Sequence, residues 1–306
     1  VAFLLGTRVE SRILWFARAE PGQLEWISDL ILAGTVVCMT YLWLHLRASR
    51  SQLASLERQQ IALDNELRLA AEIQRGLLPE LPATTPGFEW AARMEAARTV
   101  GGDFYDFVPQ PDGSVLVILG DVSGKGIPAA LIQATLKTLF RAVVRDSAET
   151  TAIAERLASM LYAQNGGAMY ATAIVARFDP APPRLSFVSA GHPPGIVVAG
   201  GRVRELTAGG PPLGLLPGAS YQSETVALAA GELGVFATDG ITEALEGLSL
   251  RLADPVRESP DGERPAALVE RLFALASTSA GPPGVANWQD DRTALAFRAT
   301  PHQPSR

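Results

Sequence analysis

The most conspicuous pattern along the chain is an early apolar run. Residues 24–46 read LEWISDLILAGTVVCMTYLWLHL, and no charged side chain falls between Leu30 and Leu44. Trp26, Tyr41 and Trp43 lie near its ends. A membrane-spanning helix needs about 20 mostly apolar residues with aromatic rings at the interfaces, so the run predicts a span. Asp29 lies inside the window, which makes the span slightly short or starts it in the headgroup zone. A buried core helix and a signal-like segment give similar patterns. The distance from residue 1 and the lack of a small-residue cleavage site speak against a cleaved signal. Arg47, Arg50 and Arg58 follow the run and place the downstream chain in the cytoplasm, although Arg8, Arg12 and Arg18 flank the other side.

Residues 47–78 then predict one helix, with no proline and a single glycine, Gly76. Leu53, Leu56, Leu63, Leu67, Ala70 and Leu77 occupy a and d positions of a heptad, interrupted by Gln60 and Gln74. Such a helix packs on its own domain or pairs with a second copy as a parallel coiled coil. Pro79 and Pro82 stop it. From Phe88 the period changes. Short apolar runs at 115–119, 171–178, 184–190, 195–199 and 233–238 predict strands, and amphipathic stretches near 127–145, 150–163 and 264–277 predict helices. Strands in pairs with inserted helices point to α+β layers more than to a strict alternation.

Composition narrows the chemistry. The chain has 306 residues, 47% of them hydrophobic, which is enough for one substantial domain with a large core. A net charge of −6 argues against general nucleic-acid binding. The single cysteine, Cys38, excludes an internal disulfide and a cysteine-based zinc cluster. Only His45, His192 and His302 are available, so a bound metal would be held mostly by oxygen, as magnesium, manganese or calcium are. The chain begins at Val1 and not at Met, which leaves room for upstream segments.

Four acidic motifs stand out: VGGDFYD at 100–106, LGDVSGKG at 119–126, ATDGITEA at 237–244 and WQDDRT at 288–293. A lone Asp-Gly is usually a turn. Four aspartates at the ends of strands in one domain form a set that asks for a cation, because gathered carboxylates repel and are costly to bury unpaired. Two divalent cations ~4 Å apart relieve that cost, acidify a water and clamp a phosphoryl group. The glycines of GDVSGKG do not make up a full GxxxxGK[ST] loop, so they read as a turn between a strand and a helix that Pro128 opens. There the Val122 carbonyl can also face a metal. GGDFYD shares only its first three letters with the loop of the GGDEF cyclases.

Taken with SAGHPPG (189–195) and in this order, the motifs AAEIQRGLLPELP, TVGGDFYDF, LGDVSGKGIPAALI, SAGHPPGIVV, GGPPLGL, FATDGITEA and QDDRTALAF resemble the PPM-type metal-dependent protein serine/threonine phosphatases, in their bacterial SpoIIE/RsbU-like branch. The resemblance spans about residues 70–298. It implies an αββα sandwich of two antiparallel sheets flanked by helices, and a water activated by two divalent cations, Mn2+ or Mg2+. It implies ligands from Asp103, Asp121, the Val122 carbonyl, Asp239 and Asp290; Asp291 is an alternative to Asp290, which fits the family position better. Asp106 reads as supporting or structural. Arg98 stands where the wider superfamily carries a phosphate-binding arginine, or is an ordinary surface residue. His192 either supports the chemistry or braces its turn. The usual substrates of the family are phosphoserine or phosphothreonine on small STAS-domain anti-anti-sigma factors.

The expected organisation is an N-terminal segment at 1–23, a transmembrane helix at 24–46, a helical linker at 47–82, the phosphatase domain at 83–300 and a tail at 301–306. The chain would cross the cytoplasmic membrane once, dimerise through residues 47–78 and dephosphorylate a partner protein in the cytoplasm. The alternative is a catalytically inactive PPM-fold module that binds a partner at the membrane.

Overall fold

The computed structural model describes residues 21–76, 78–82, 84–97, 99–199, 202–260, 262–278 and 290–301. The chain divides into two compact units, Val1–Asn65 and Glu66–Arg306. Helix α1, Pro21–Gly76, begins in the first and ends in the second. In the first unit the segment from Ser28 onward contains an 18-residue window of mean hydropathy 1.5, long and apolar enough to cross a membrane. Leu30, Ile31, Val37, Met39 and Tyr41 are all more than half exposed, on every side of the helix. The Thr35 and Thr40 hydroxyls donate back to the Leu32 and Val36 carbonyls, so neither polar group needs water. A helix that is apolar all round is stable only when protein or lipid surrounds it. The heptad leucines Leu53, Leu56 and Leu63 are exposed as well.

The second unit holds two sheets. One has the order β1-β2-β12-β11-β7-β8: Thr84–Thr85, Phe88–Glu95, Arg292–Ala299, Leu233–Ala237, Gly195–Ala199 and Arg202–Leu206. The other runs β10-β6-β5-β4-β3: Glu224–Ala227, Pro183–Ala190, Ala171–Pro180, Val115–Val122 and Phe104–Pro109. All these neighbours are antiparallel, and the short β9 (Gly209–Gly210) adds a parallel pairing to β6. The strand runs are apolar without alternation because both faces of each sheet are buried. In β4, Val115, Val117 and Leu119 point between the sheets, while Leu116 and Ile118 point at helices. In β12, Leu295 and Phe297 point between the sheets, while Ala294 and Ala296 point outward.

Helices close both outer faces. α2 (Ile127–Val143) and α3 (Thr150–Asn165) cover the second sheet through Leu136, Phe140, Ile153, Leu157 and Leu161. α4 (Asp239–Glu246), α5 (Ala253–Arg257) and α6 (Pro265–Thr278) cover the first through Ile241, Val256, Leu268, Leu272 and Phe273. The layers are therefore helix, sheet, sheet, helix, as the resemblance implies. The helix expected to run to residue 78 stops at Gly76; Leu77 lies outside the described residues. The Pro-, Gly- and Ala-rich segment 246–286 contains α5 besides the expected helix α6.

Aromatic rings fill the space between the sheets. Phe178 meets Trp90 at 4.7 Å, Phe297 at 4.8 Å and Phe88 at 5.2 Å between centroids, each edge to face. Phe178→Ala removes the ring that all three share and is expected to destabilise this unit by about 3–5 kcal/mol. Phe178→Leu, which keeps much of the volume, is expected to cost less than half of that. Urea denaturation followed by tryptophan fluorescence measures both; an unchanged midpoint for the alanine variant would show that this cluster does not bear on stability.

Candidate metal centre

The register of the two sheets decides where the acidic motifs fall. Asp103 directly precedes β3 and Asp121 lies near the end of β4; because these strands are antiparallel, with Phe104 opposite Gly120, both aspartates come to one end. Asp239 opens α4 just after β11, and Asp290 lies just before β12; Ala237 is opposite Ala294, so these two also share an end. Asp103 joins the two pairs. It is 1% exposed, and its Oδ2 accepts hydrogen bonds from Thr238 Oγ1 at 2.8 Å and Thr293 Oγ1 at 2.6 Å, both from the opposite sheet. Thr293 N–H in turn donates to Thr238 Oγ1 at 2.9 Å.

Electrostatics records the crowding. Burial, then the charges of Asp121 and Asp291, hold the Asp103 carboxyl well above its ordinary range, against the two threonine hydrogen bonds. Burial, then Asp239, Asp290 and Asp291, push Asp121 up to about 7. Asp239 is raised by burial and Asp290, and Glu243, one turn along α4, by burial, Asp239 and Asp290. Lys125, in the loop after β4, opposes this with its Nζ 3.2 Å from Asp290 Oδ1.

The donor chemistry at this end suits a divalent cation. Asp103 Oδ1 and Asp239 Oδ1 are buried and have no hydrogen-bond partner among the described residues. A buried carboxylate oxygen left without a donor costs several kcal/mol unless a cation meets it. A Cβ at Gly102 would stand 2.8 Å from both Asp121 Oδ1 and the Val122 carbonyl oxygen, so only glycine leaves that space open. The donors are all oxygens, the type that magnesium and manganese take. Among the described residues, no three His, Cys, Asp or Glu side chains are gathered closely enough to hold one ion.

The other candidates separate. Asp291 grips the preceding loop, its Oδ1 accepting from Ala97 N–H at 2.8 Å and its Oδ2 from Gly102 N–H at 2.6 Å. Asp106 is fully buried and paired with Arg141 of α2 at 2.6 and 2.9 Å. Arg98 lies outside the described residues. His192 is buried, with Nδ1 3.0 Å from Thr172 Oγ1, and its backbone N–H and carbonyl both meet the Ser189 hydroxyl. Burial pushes its pKa down to about 3, so the ring is neutral. Thr172 stands opposite Asp121 across the β4–β5 ladder. Sequence reasoning missed Thr238, Thr293 and Gln74. The two threonines adjoin the motif aspartates, one directly before Asp239 and one two residues after Asp291, and a hydroxyl in that place is a readable signal for a carboxylate held from behind.

Comparison with known proteins bears on this arrangement. The family model described as Stage II sporulation protein E (SpoIIE) matches residues 111–300. Phosphoserine phosphatase RsbU of Bacillus subtilis is 26% identical over 186 residues, covering 60% of this chain and 55% of that protein. Phosphoserine phosphatase RsbP of the same organism is 29% identical over 210 residues, covering 66% of this chain and 51% of that protein. The chain thus spans about half the length of these relatives. The solved SiaA-PP2C domain of Pseudomonas aeruginosa superposes with a TM-score of 0.67 at 24% identity, over 78% of this chain and 98% of that domain, and shares the fold. The family match covers most of the two sheets and takes in Asp121, Asp239 and Asp290, with Asp103 just ahead of it, and the chain belongs to the SpoIIE family of PPM/PP2C-type metal-dependent phosphatases.

Proposed function

We propose that the chain is a metal-dependent protein serine/threonine phosphatase that acts on phosphoserine or phosphothreonine of a partner protein. The observation that carries the reading is the meeting of Asp103, Asp121, Asp239 and Asp290 at one end of the two sheets, with two buried carboxylate oxygens lacking a donor. Asp103, Asp121, the Val122 carbonyl, Asp239 and Asp290 would hold two Mn2+ or Mg2+ ions. When bound, these supply charge neutralisation at a phosphoryl group and a water acidic enough to serve as nucleophile near neutral pH. The protein's part is to hold the donors in place: Thr238 and Thr293 orient Asp103, Asp291 fixes the loop before it, and Lys125 sets a positive charge at the rim. Asp106 and Arg141 brace β3 against α2 away from this end.

Family membership supports a phosphorylated regulatory protein as the substrate, which we take to be of the STAS-domain anti-anti-sigma type. The names of RsbU and RsbP, both phosphoserine phosphatases, are consistent with a phosphoserine substrate. The exposed apolar segment of α1 supports a single membrane span, with the sheet-bearing unit in the cytoplasm, and the exposed heptad leucines support a homodimer through residues 47–78.

The full chain in detergent is expected to hydrolyse a phosphoserine peptide with Mn2+ and to stop when a chelator removes it. Asp239→Asn is expected to lower kcat/KM by at least about 100-fold, on the scale of losing one preorganised charge in such a site. A folded chain that binds Mn2+ and turns over nothing would favour the inactive binding module instead.

The pH dependence has a definite sign. A cation binds ionised carboxylate, and Asp121 sits near 7, so below that pH Mn2+ must displace a proton. Apparent affinity is expected to fall as the pH drops from about 7 to 6, by up to roughly tenfold per proton displaced. Calorimetric titrations in two buffers of different protonation enthalpy read the proton release, large at pH 6 and small at pH 8. An affinity flat across this window would remove Asp121 from the ligand set.

The chain is expected to sediment with membranes, to resist alkaline carbonate and to leave only with detergent. Deleting 24–46 is expected to release it. Release of the full chain by carbonate alone would contradict the span.

A further inference from the structure

The last turns of α1 touch the loop in front of Asp103. Gln74 is 7% exposed. Its Nε2 donates to the Gly101 carbonyl at 2.7 Å and to Gln133 Oε1 of α2 at 2.6 Å, and its Oε1 accepts from Gly101 N–H at 3.2 Å. One amide thus satisfies both polar groups of a single backbone residue, as a neighbouring strand would, and uses its second N–H to reach a helix.

The loop needs outside support. Gly101 and Gly102 are required by close approach: a Cβ on the first would strike the Asp291 carboxylate, and one on the second would meet Asp121 and the Val122 carbonyl. Two adjacent glycines have no side chains to pack and the greatest backbone freedom to lose. Their positions are fixed from outside at three points: Asp291 on Gly102 N–H, the Val122 N–H on the Gly102 carbonyl at 3.3 Å, and Gln74 on Gly101. Asp103 is the next residue. An apolar side chain at position 74 would be buried as readily, but would leave both Gly101 groups without partners.

We propose that Gln74 is a positioning residue of the cation site: through the Gly101–Gly102 backbone it sets the places of the Asp103 carboxylate and the Val122 carbonyl. The proposal rests on the reading of this site as a cation site and extends it to a residue far from the acidic motifs in sequence.

The test uses the full chain in detergent micelles, with Mn2+ binding measured by calorimetry, turnover of a phosphoserine peptide at saturating Mn2+, and thermal unfolding in chelator. Gln74→Leu is expected to weaken Mn2+ binding roughly tenfold, the worth of one to two hydrogen bonds to an otherwise unpaired backbone. At saturating Mn2+ its turnover is expected to recover most of the way. Gln74→Glu keeps the acceptor for Gly101 N–H and is expected to fall between. Mn2+ affinity within twofold of the unaltered chain in both variants would overturn the proposal, even with a lowered melting temperature, since Gln74 would then only fill space. Should Gln74→Leu fail to fold, Gln74→Glu decides alone, and failure of both to fold counts as a structural role and against the proposal. If the unaltered chain binds Mn2+ without hydrolysing the peptide, the phosphatase reading falls while the affinity ratio still judges Gln74; if it binds no Mn2+, both fall.

Discussion

The structure turns on one carboxylate. Asp103 is buried where the two sheets meet, and one of its oxygens is held by hydroxyls from the opposite sheet, Thr238 and Thr293. Those two bonds do separate things. They tie the start of β3 to the ends of β11 and β12, so that the acidic ends of both sheets face each other. They also leave Oδ1 buried with no donor among the described residues. A buried acid tied on one side and open on the other is stable only if it takes up a proton or meets a cation, and burial together with the neighbouring charges raises its pKa accordingly.

The rest of the unit makes that position possible. The aromatic cluster between the sheets and the helices on either face fix the register, and the register alone brings together acids that lie up to 187 residues apart in sequence, from Asp103 to Asp290. Packing of this density resists rearrangement. The repulsion among Asp121, Asp239 and Asp290 is therefore held in the fold and is not relieved by the acids moving apart. It is relieved by protonation, by Lys125 or by added cations, and the choice among these sets how the site responds to pH and to metal.

Much of this was legible in the sequence. The strand runs of β4, β5, β6, β7 and β11 are apolar enough to be read directly, and Pro128 and the helical period gave α2. The strands β2 and β3 were not read: FEWAARME and FYDFVP mix charge and apolar residues because they end at the site and at the sheet border. The aspartates were visible as motifs, but their division of labour was not. Asp290 and Asp291 are adjacent and chemically identical; only the fold shows that Asp291 holds the loop at Ala97 and Gly102 while Asp290 pairs with Lys125. Gln74 was legible merely as a polar break in a heptad, since nothing local shows that the helix lies beside Gly101 at that point.

That break changes how α1 is understood. A heptad interrupted by glutamine would ordinarily be read for coiled-coil register, where a buried polar residue selects partners at some cost in stability. Gln60 lies in the unit of the exposed leucines, while Gln74 belongs to the unit of the sheets and spends its hydrogen bonds there. The two glutamines therefore answer to different constraints, although the same pattern produces both. The helix is continuous, so a single sequence period carries an apolar, lipid-compatible stretch at one end and a hydrogen-bonded loop clamp at the other. The clamp acts on backbone that must be glycine to leave room for the acids, which is why the contact takes the form of a side-chain amide and not of apolar packing.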